Sequence, residues 1–418
     1  MRFAFPIRLA AAAALALTLS TPVLPVNASS TTSSAHADTE TKAAGRKLIG
    51  YFIEWGVYAR DYHAKNLDTS GTAAKLTHIN YAFGEVVGGK CAVGDDYAAY
   101  QKQYDAAHSV DGVADTGPLY GNFNQLRKLK AKHPGLKILY SFGGWSGSGG
   151  FSDAAKHAQA FAESCYNLLQ DSRWAGVFDG IDIDWEYPDN PADYKNLMSA
   201  LRAKFGQSRL VTAAISGDGT AGGKIETAGY ADAAQYVDWY NVMTYDYFGP
   251  FDSTSGHGPT APHAPLYNYP GIPRKDFNGS AAIDKLLSLH VPAGKLLLGI
   301  PFYGRGWTGV TQKAPGGTAT GPARGTWDTT TNTGVEDYKV LKTACPFFSG
   351  NPNSGGGSIA GTIYAYCSPN WWSYDAPESI DGKTIYIKQK SLGGAFFWEA
   401  SGDTSDGELA TALHTGLQ

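Results

Sequence analysis

The chain has 418 residues, of which 43% are hydrophobic and 17% are charged. This composition excludes a disordered chain, which would be poor in apolar residues and rich in net charge. The formal net charge of −4 gives no sign of a nucleic-acid partner, and the length allows one large domain or a few ordinary ones.

The N-terminal segment is typical of a secretory signal peptide. A basic start precedes an apolar run over residues 9–19, which is too short to span a bilayer. Small residues offer cleavage after Ala28 or Ala37, and we favour Ala37. We therefore expect a signal peptide over 1–37, a disordered N-terminus over 38–45 and an exported protein. No later apolar stretch is long enough to span a membrane, so we predict no membrane partner.

Short apolar segments then alternate with helix-like segments along the chain. The helical patterns cover residues 122–132, 153–169 and 194–205. Eight such alternations predict an α/β fold, a (β/α)₈ TIM barrel. A doubly wound open sheet remains the alternative, although no G-x-G-x-x-G follows the first strand. The predicted strands cover residues 47–55, 76–86, 136–143, 180–187, 210–216, 236–245, 296–303 and 393–398.

The spacing breaks between the seventh and eighth strands, which lie about 90 residues apart. The gap holds a Gly/Thr-rich segment and a Gly/Ser/Pro/Asn-rich loop. We expect a small α+β insertion over 308–375, with the catalytic barrel formed by 46–307 and 376–418.

The four cysteines are Cys91, Cys165, Cys345 and Cys367, which allow three pairings. Two lie early and two late, so we predict Cys91–Cys165 and Cys345–Cys367. Reduced thiols in a core remain an alternative. Zinc binding by these cysteines is not favoured, because no C-x-x-C spacing occurs.

An acidic row follows within the fourth predicted strand. Asp182, Asp184 and Glu186 alternate with apolar residues, so their side chains share one face of the strand. In a barrel that face is the interior, and its last member lies at the carboxyl rim, where barrel enzymes carry their sites. Like charges so close raise the pKa values of some members, which keeps one carboxyl ready to donate a proton.

A metal site is the main competing interpretation of these acids. An EF-hand loop starting at Asp179 would place Asp184 where glycine is needed and Asn190 where a carboxylate is needed, so that pattern fails. A divalent ion held on the strand remains possible. We nevertheless predict no metal and no cofactor.

The segment from Asp179 to Glu186 resembles the D-x-x-D-x-D-x-E signature of family 18 glycoside hydrolases. Two further strand ends are similar to family motifs, S-x-G-G at Ser141, Gly143 and Gly144 and M-x-Y-D at Met243, Tyr245 and Asp246. The resemblance implies a chitinase of the secreted bacterial type with the insertion. Its substrate would be chitin or its oligosaccharides, cleaved at β-1,4 bonds between N-acetylglucosamine units.

The resemblance also implies catalytic roles. Glu186 would be the general acid and base, and the substrate's own acetamido group would attack to give an oxazolinium ion, with retention. Asp184 would orient that group, Asp182 would share a proton or hydrogen bond with Asp184, and Tyr245 would donate its hydroxyl to the acetamido group. Asp246 would bind a nearby sugar, whereas Asp179 is expected to be structural.

Aromatic residues make up 13% of the chain and give the sugar rings surfaces to stack on. We expect Trp398 to form the floor at the cleavage point and Trp145 to line the leaving-group side. His257 and His263 bracket a Gly/Pro loop and are expected to be turn residues. Further candidates for substrate contact at strand ends are Tyr51, Phe83, Met243, Phe251 and Arg305.

Two other functions remain open at this stage. An endo-β-N-acetylglucosaminidase acting on N-glycans would use the same machinery, and a catalytically silent chitin-binding lectin could share the barrel. Such lectins lose the acid, whereas Glu186 is present here. We expect a monomer that binds neither nucleic acid nor membranes.

Overall fold

The structure is a computed structural model that describes residues 45–251, 258–329, 332–348 and 354–418. The predicted signal peptide, residues 38–44 and His257 lie outside these ranges. None of the helices within them combines the length and apolar character needed to cross a bilayer.

The strands are numbered here in chain order. They are β1 Lys47–Ile53, β2 His78–Val87, β3 Lys90–Ala92, β4 Lys137–Gly143, β5 Gly180–Asp184, β6 Leu210–Ser216, β7 Tyr240–Met243, β8 Leu296–Pro301, β9 Tyr303–Thr308, β10 Gly321–Pro322, β11 Val335–Asp337, β12 Ser354–Ile359, β13 Thr362–Cys367, β14 Asn370–Tyr374 and β15 Gly394–Trp398.

The helices are numbered in the same way. They are α1 Ala64–Thr69, α2 Gly121–Lys132, α3 Phe151–Lys156, α4 Ala158–Leu169, α5 Pro191–Phe205, α6 Lys224–Thr227, α7 Tyr230–Ala233, α8 Gly279–Ser288, α9 Tyr338–Ala344, α10 Pro377–Gln389 and α11 Glu408–Leu417.

Eight parallel strands close into a barrel in the order β1-β15-β8-β7-β6-β5-β4-β2. Closure comes from the pairing of β1 with β2, in which Ile49 lies opposite His78. The predicted (β/α)₈ barrel is therefore confirmed. The open-sheet alternative is wrong, because a doubly wound sheet would leave its two edge strands unpaired.

The alternation within the strands produces two separate apolar layers. Ile181 and Ile183 of β5 pack outward into the large core between the barrel and its helices. A smaller cluster on the opposite face of the barrel strands contains Tyr51, Leu139 and Phe396. The even-numbered positions of β5 consequently face the barrel interior and carry the acids.

The predicted helix over 153–169 is wrong as one continuous element. His157 leaves the helical region (φ −124°, ψ 41°) and separates α3 from α4. Buried residues continue on both sides of the break, at Ala154 in α3 and at Phe161 and Cys165 in α4. A hydrophobic pattern that runs through a kink looks like a single helix in sequence.

A second sheet of six strands lies between β8 and β15 in the chain. Its order is β10-β9-β14-β13-β12, with β11 paired to β9, and all its pairings are antiparallel. Only Phe302 separates β8 from β9, so this sheet starts at Tyr303, before the predicted boundary at residue 308. The limits of 308–375 for the insertion remain a prediction.

Two disulfides fix peripheral elements. Cys91–Cys165 joins β3 to α4, and Cys345–Cys367 joins the end of α9 to β13. These are the two pairs that the sequence predicts, and no described cysteine is free.

Candidate active site

The acidic row lies at the carboxyl end of β5, where Asp182 and Asp184 are buried and Glu186 follows directly after the strand. Parallel strands in a barrel all end at the same rim, so the motifs after β4, β7 and β8 meet this row there. The environment of each acid then differs with its depth.

Asp182 is the deepest of the acids and is fully enclosed. Its Oδ2 accepts hydrogen bonds from the hydroxyls of Tyr51 and Ser141, both at 2.7 Å. Its Oδ1 accepts from Thr212 Oγ1 at 2.6 Å and Asn241 Nδ2 at 3.3 Å. Burial raises the pKa of Asp182, while these hydrogen bonds oppose that shift. A carboxyl group so occupied by donors offers no lone pair to a metal ion.

Asp184 lies one step closer to the rim and is only 4% exposed. Among the residues that the structure describes, none provides a hydrogen-bond partner for its Oδ1. Burial raises the pKa of Asp184 well above its usual value, and the charges of Glu186 and Asp182 raise it further. A buried polar atom without a partner is costly, so this oxygen is available to a group that enters the site.

Asp182 and Asp184 thus interact through their charges, while the hydrogen bonds of Asp182 go elsewhere. The predicted sharing of a proton or hydrogen bond between them is not what this geometry displays. The reason is that the hydroxyls of β1, β4 and β6 reach Asp182 first.

Glu186 is half-buried at the rim. Burial raises its pKa to about 7, with a further upward contribution from the charge of Asp246. Its backbone N–H donates to Ser148 Oγ at 2.8 Å, and that hydroxyl also lies 3.1 Å from the Asp184 carbonyl oxygen. The loop after β4 therefore fixes the backbone that leads into the acid.

Glycines allow that loop to approach β5 closely. Gly143 has φ +112°, and a Cβ there would collide with the carbonyl oxygen of Asp184. A Cβ on Gly144 would lie 2.6 Å from the ring of Phe83. Close contacts thus require glycine at positions 143 and 144, and Ser141 is placed to donate to Asp182.

Asp179 lies at the opposite end of β5. Its Oδ2 accepts from Lys130 Nζ and from the backbone N–H of Ile138, both at 2.8 Å. These contacts tie β5 to α2 and β4 far from the rim, in keeping with the structural role expected for it.

Tyr245 and Asp246 follow β7. The ring of Tyr245 lies 6.0 Å from that of Phe396 and 6.2 Å from that of Tyr303. Burial raises the pKa of Tyr245 well above its usual value, and the charges of Asp184 and Glu186 contribute. The hydroxyl therefore stays protonated and can act as a hydrogen-bond donor.

Asp246 is held by Arg305, whose Nε and Nη2 donate to its two oxygens at 2.8 and 2.7 Å. This bidentate pair holds the pKa of Asp246 well below its usual range despite burial. His263 lies behind the pair, with Nδ1 3.3 Å from Asp246 Oδ1. His263 lies at a bend of its loop, as expected for a turn residue, and its side chain is completely buried against this ion pair.

Aromatic rings line one side of the rim. Trp398 stacks with Phe83 at 5.4 Å and 18°, and its ring centroid lies 5.3 Å from that of Tyr51. Trp55, which sequence reasoning missed, is 42% exposed and lies 6.4 Å from Trp398. A cavity of about 450 Å³ adjoins them, lined among others by Trp55, Phe83 and Gly143.

Other predicted contact residues are more scattered. Trp145 is 77% exposed on the loop after β4, and Phe251 is 53% exposed beneath the Arg305 guanidinium at 4.9 Å. Met243 is partly buried and packs with the cluster that contains Tyr51 and Phe396. Trp145 and Phe251 thus present free aromatic surface, and the expected substrate contact of Met243 stays a prediction.

Sequence reasoning missed several residues that complete the site. Thr212 and Asn241 hold Asp182, Ser148 holds the backbone of Glu186, and His263 supports Asp246. A signal existed for Thr212 and Asn241, because both are polar positions within apolar strands. The partners of Ser148 and His263 depend on loop geometry, which the spacing of residues in the sequence does not reveal.

Comparisons with known proteins agree on one family. Residues 47–403 match the family described as glycosyl hydrolases family 18. Chitinase C of Streptomyces lividans is 57% identical over 390 residues, covering 90% of this chain and 61% of that protein. Chitinase 63 of Streptomyces plicatus is 57% identical over 382 residues, covering 88% of this chain and 60% of that protein. The chain thus spans about three fifths of the length of these curated relatives.

A solved structure extends the likeness to the fold. The catalytic domain of psychrophilic chitinase B from Arthrobacter superposes with a TM-score of 0.81 at 34% identity. The match covers 89% of this chain and 95% of that domain.

Proposed function

The chain belongs to family 18 of the glycosyl hydrolases, and we propose that it is a chitinase. Its reaction would be hydrolysis of β-1,4 bonds between N-acetylglucosamine units of chitin and its oligosaccharides. The observation that carries this proposal is the acidic row of β5, in which Glu186 has a pKa of about 7 beside the unpartnered Oδ1 of Asp184. Relatives named as chitinases support the choice of substrate.

In the first step, protonated Glu186 gives its proton to the glycosidic oxygen. The bond between that oxygen and the anomeric carbon breaks, and the carbonyl oxygen of the substrate's 2-acetamido group bonds to the anomeric carbon. The product is an oxazolinium ion, and no protein nucleophile is needed. In the second step, Glu186 takes a proton from a water that attacks the anomeric carbon from the face that the leaving group left. The bond between that carbon and the acetamido oxygen breaks, the acetamido group is restored, and configuration is retained.

Asp184 would orient the acetamido group. Its Oδ1 lacks a partner among the described residues, so the acetamido N–H would satisfy it and leave the carbonyl oxygen aimed at the anomeric carbon. The positive charge of the oxazolinium ion would favour ionised Asp184 as it forms. Asp182 would act through its negative field, since its hydrogen bonds go to other groups.

Tyr245 would donate its hydroxyl to the acetamido carbonyl. Trp398 would lie under the sugar at the cleavage point, with Phe83 and Tyr51 holding its ring in place. Trp145 would contact sugars on the leaving-group side, because its ring is open to solvent. Asp246, fixed by Arg305, would hydrogen-bond a neighbouring sugar.

Export to an oxidising compartment is part of the proposal. Two disulfides in a chain of this size fit an extracellular protein better than a cytosolic one. The predicted signal peptide, the monomeric state and the absence of nucleic-acid and membrane partners remain predictions.

The test is release of reducing ends from colloidal chitin by wild-type protein and by Glu186→Gln. We expect wild-type activity and a loss of about 10²–10⁴-fold in the variant. Glu163→Gln, an exposed carboxyl on α4, is the matched control and should keep full activity.

Two alternatives would give other results. Release of N-glycans from a glycoprotein, with chitin left intact, would identify an endo-β-N-acetylglucosaminidase. Binding to chitin without new reducing ends from either protein would identify a lectin and overturn the proposal.

A further inference from the structure

Three residues with metal-binding side chains converge away from the acidic row. Asp61 and His63 lie on the segment between β1 and α1, and His108 lies on the long segment between β3 and α2. Each offers one ligand atom, and these atoms all lie within 4.8 Å of one another. We propose that Asp61, His63 and His108 form a zinc-binding site, which is independent of the proposed hydrolysis. The sequence was expected to bind no metal, and His63 and His108, which lie 45 positions apart, form no recognisable spacing motif.

The donor set fits Zn²⁺ in type and number. Two imidazole nitrogens and one carboxylate oxygen are common zinc ligands, and three protein ligands leave a position for water.

His63 and Asp61 are already paired in a way that zinc could take over. His63 Nε2 lies 2.8 Å from Asp61 Oδ1, whereas His63 Nδ1 lies 3.4 Å from the Tyr104 hydroxyl, which donates to Asn122 Oδ1 at 3.1 Å. The shorter contact is a hydrogen bond from the Nε2–H of His63 to the Asp61 carboxylate. A zinc ion would replace that proton between the same two atoms, so its binding would release a proton.

His108 completes the set with its own supporting carboxylate. Its Nδ1 lies 2.7 Å from Asp105 Oδ1, which leaves Nε2 to coordinate. Metal-binding histidines usually carry such a partner on the second nitrogen. The ring centroids of His63 and His108 are 5.0 Å apart. The Asp61 side chain is 77% exposed, so it can shift the short distance that coordination requires.

A zinc ion here would join two segments of the rim. The segment after β1 also carries Trp55, whose ring lies beside Trp398. The ion would pin that segment to the stretch containing His108. Lys102, whose Nζ lies 5.5 Å from the Tyr104 ring, opposes the ion's charge and limits its affinity.

The test is equilibrium dialysis of the EDTA-treated protein against Zn²⁺, followed by elemental analysis. We expect one zinc per chain in wild type and at least about tenfold weaker binding in His108→Ala, Asp61→Asn and His63→Ala. His108 is solvent-exposed, so its variant should fold even if His63→Ala does not.

The matched control is His133→Ala, since His133 forms a similar pair with Asp68 at 2.8 Å but lies outside the three-residue cluster. It should bind zinc as wild type does. Saturating zinc should raise the Tm of wild type by at least about 2 °C and leave that of His108→Ala unchanged. Equal zinc binding by wild type and His108→Ala would overturn the proposal and leave Asp61 and His63 as an ordinary ion pair.

Discussion

Three carboxyl groups share one face at the carboxyl end of β5, yet each has a different environment. Asp182 is saturated with donors, and Asp184 has an oxygen with no partner in the part of the chain that the structure describes. Glu186 is half-buried, and burial raises its pKa to about 7. Depth in the barrel sets these differences, because hydroxyls from neighbouring strands reach the deepest acid, Asp182. These different environments favour a charged carboxylate at one position and a carboxyl group with a transferable proton at another.

The pKa of Glu186 predicts the alkaline limb of activity. The carboxyl must be protonated to act as acid, so kcat/KM should fall as pH rises through about 7. The pKa of this carboxyl is higher in the folded state than in the unfolded state. Its contribution to stability should therefore also decline as the pH rises from about 4.5 to 7. A pH profile of oligomer hydrolysis measures the limb, and a limb below pH 5 would contradict the assignment.

Asp182→Asn should destabilise the fold as well as the reaction. An asparagine would place its NH₂ group among the donors from Tyr51, Ser141, Thr212 and Asn241. A buried donor facing donors costs about 1–3 kcal/mol of unfolding free energy. Denaturant unfolding measures this cost. Asp189→Asn, at an 87% exposed side chain, is the control, and equal stability of both variants would contradict the prediction.

At the scale of elements, the site depends on two strand ends held against each other. The loop after β4 contacts the backbone of β5 through Gly144 N–H, which donates to the Asp184 carbonyl oxygen at 2.8 Å. Ser148 then reaches the backbone of Glu186. The acids are thus positioned by backbone contacts that side-chain chemistry alone would not supply.

Gly143→Ala tests this contact. Its new Cβ would meet the Asp184 carbonyl oxygen at a backbone angle that favours glycine, so the strand ends must separate. We expect a fall in kcat of at least about tenfold, since small misplacements of catalytic groups are costly. Gly149→Ala, where a Cβ meets nothing within 4 Å, should leave kcat unchanged. The prediction fails if both variants have the same kcat.

The two disulfides should contribute unequally to stability. Cys91–Cys165 spans a sequence separation of 74 and Cys345–Cys367 spans 22. In the chain-entropy account the longer loop gives about 1 kcal/mol more stabilisation. Denaturant unfolding of Cys91→Ser/Cys165→Ser against Cys345→Ser/Cys367→Ser measures the difference. The reverse order would show that local packing outweighs loop entropy.

For the whole molecule, the sequence predicted the barrel because strand–helix alternation leaves a regular pattern in apolar residues. It also predicted the acids, since alternation along β5 places Asp182 and Asp184 on one face. It could not place His263, whose partner Asp246 lies 17 positions away across a loop, nor the break at His157. Contacts between distant segments depend on packing geometry, which the period of a pattern does not contain.

The central claim is that Glu186 and the substrate's acetamido group together cleave with retention. Proton NMR of fresh products from N-acetylglucosamine hexamer tests it most directly, run beside Glu186→Gln and beside fully deacetylated chitosan. The account predicts β-anomers first, a variant slowed by about 10²–10⁴-fold, and no cleavage of chitosan. Initial α-anomers, or efficient cleavage of the deacetylated polymer, would contradict it.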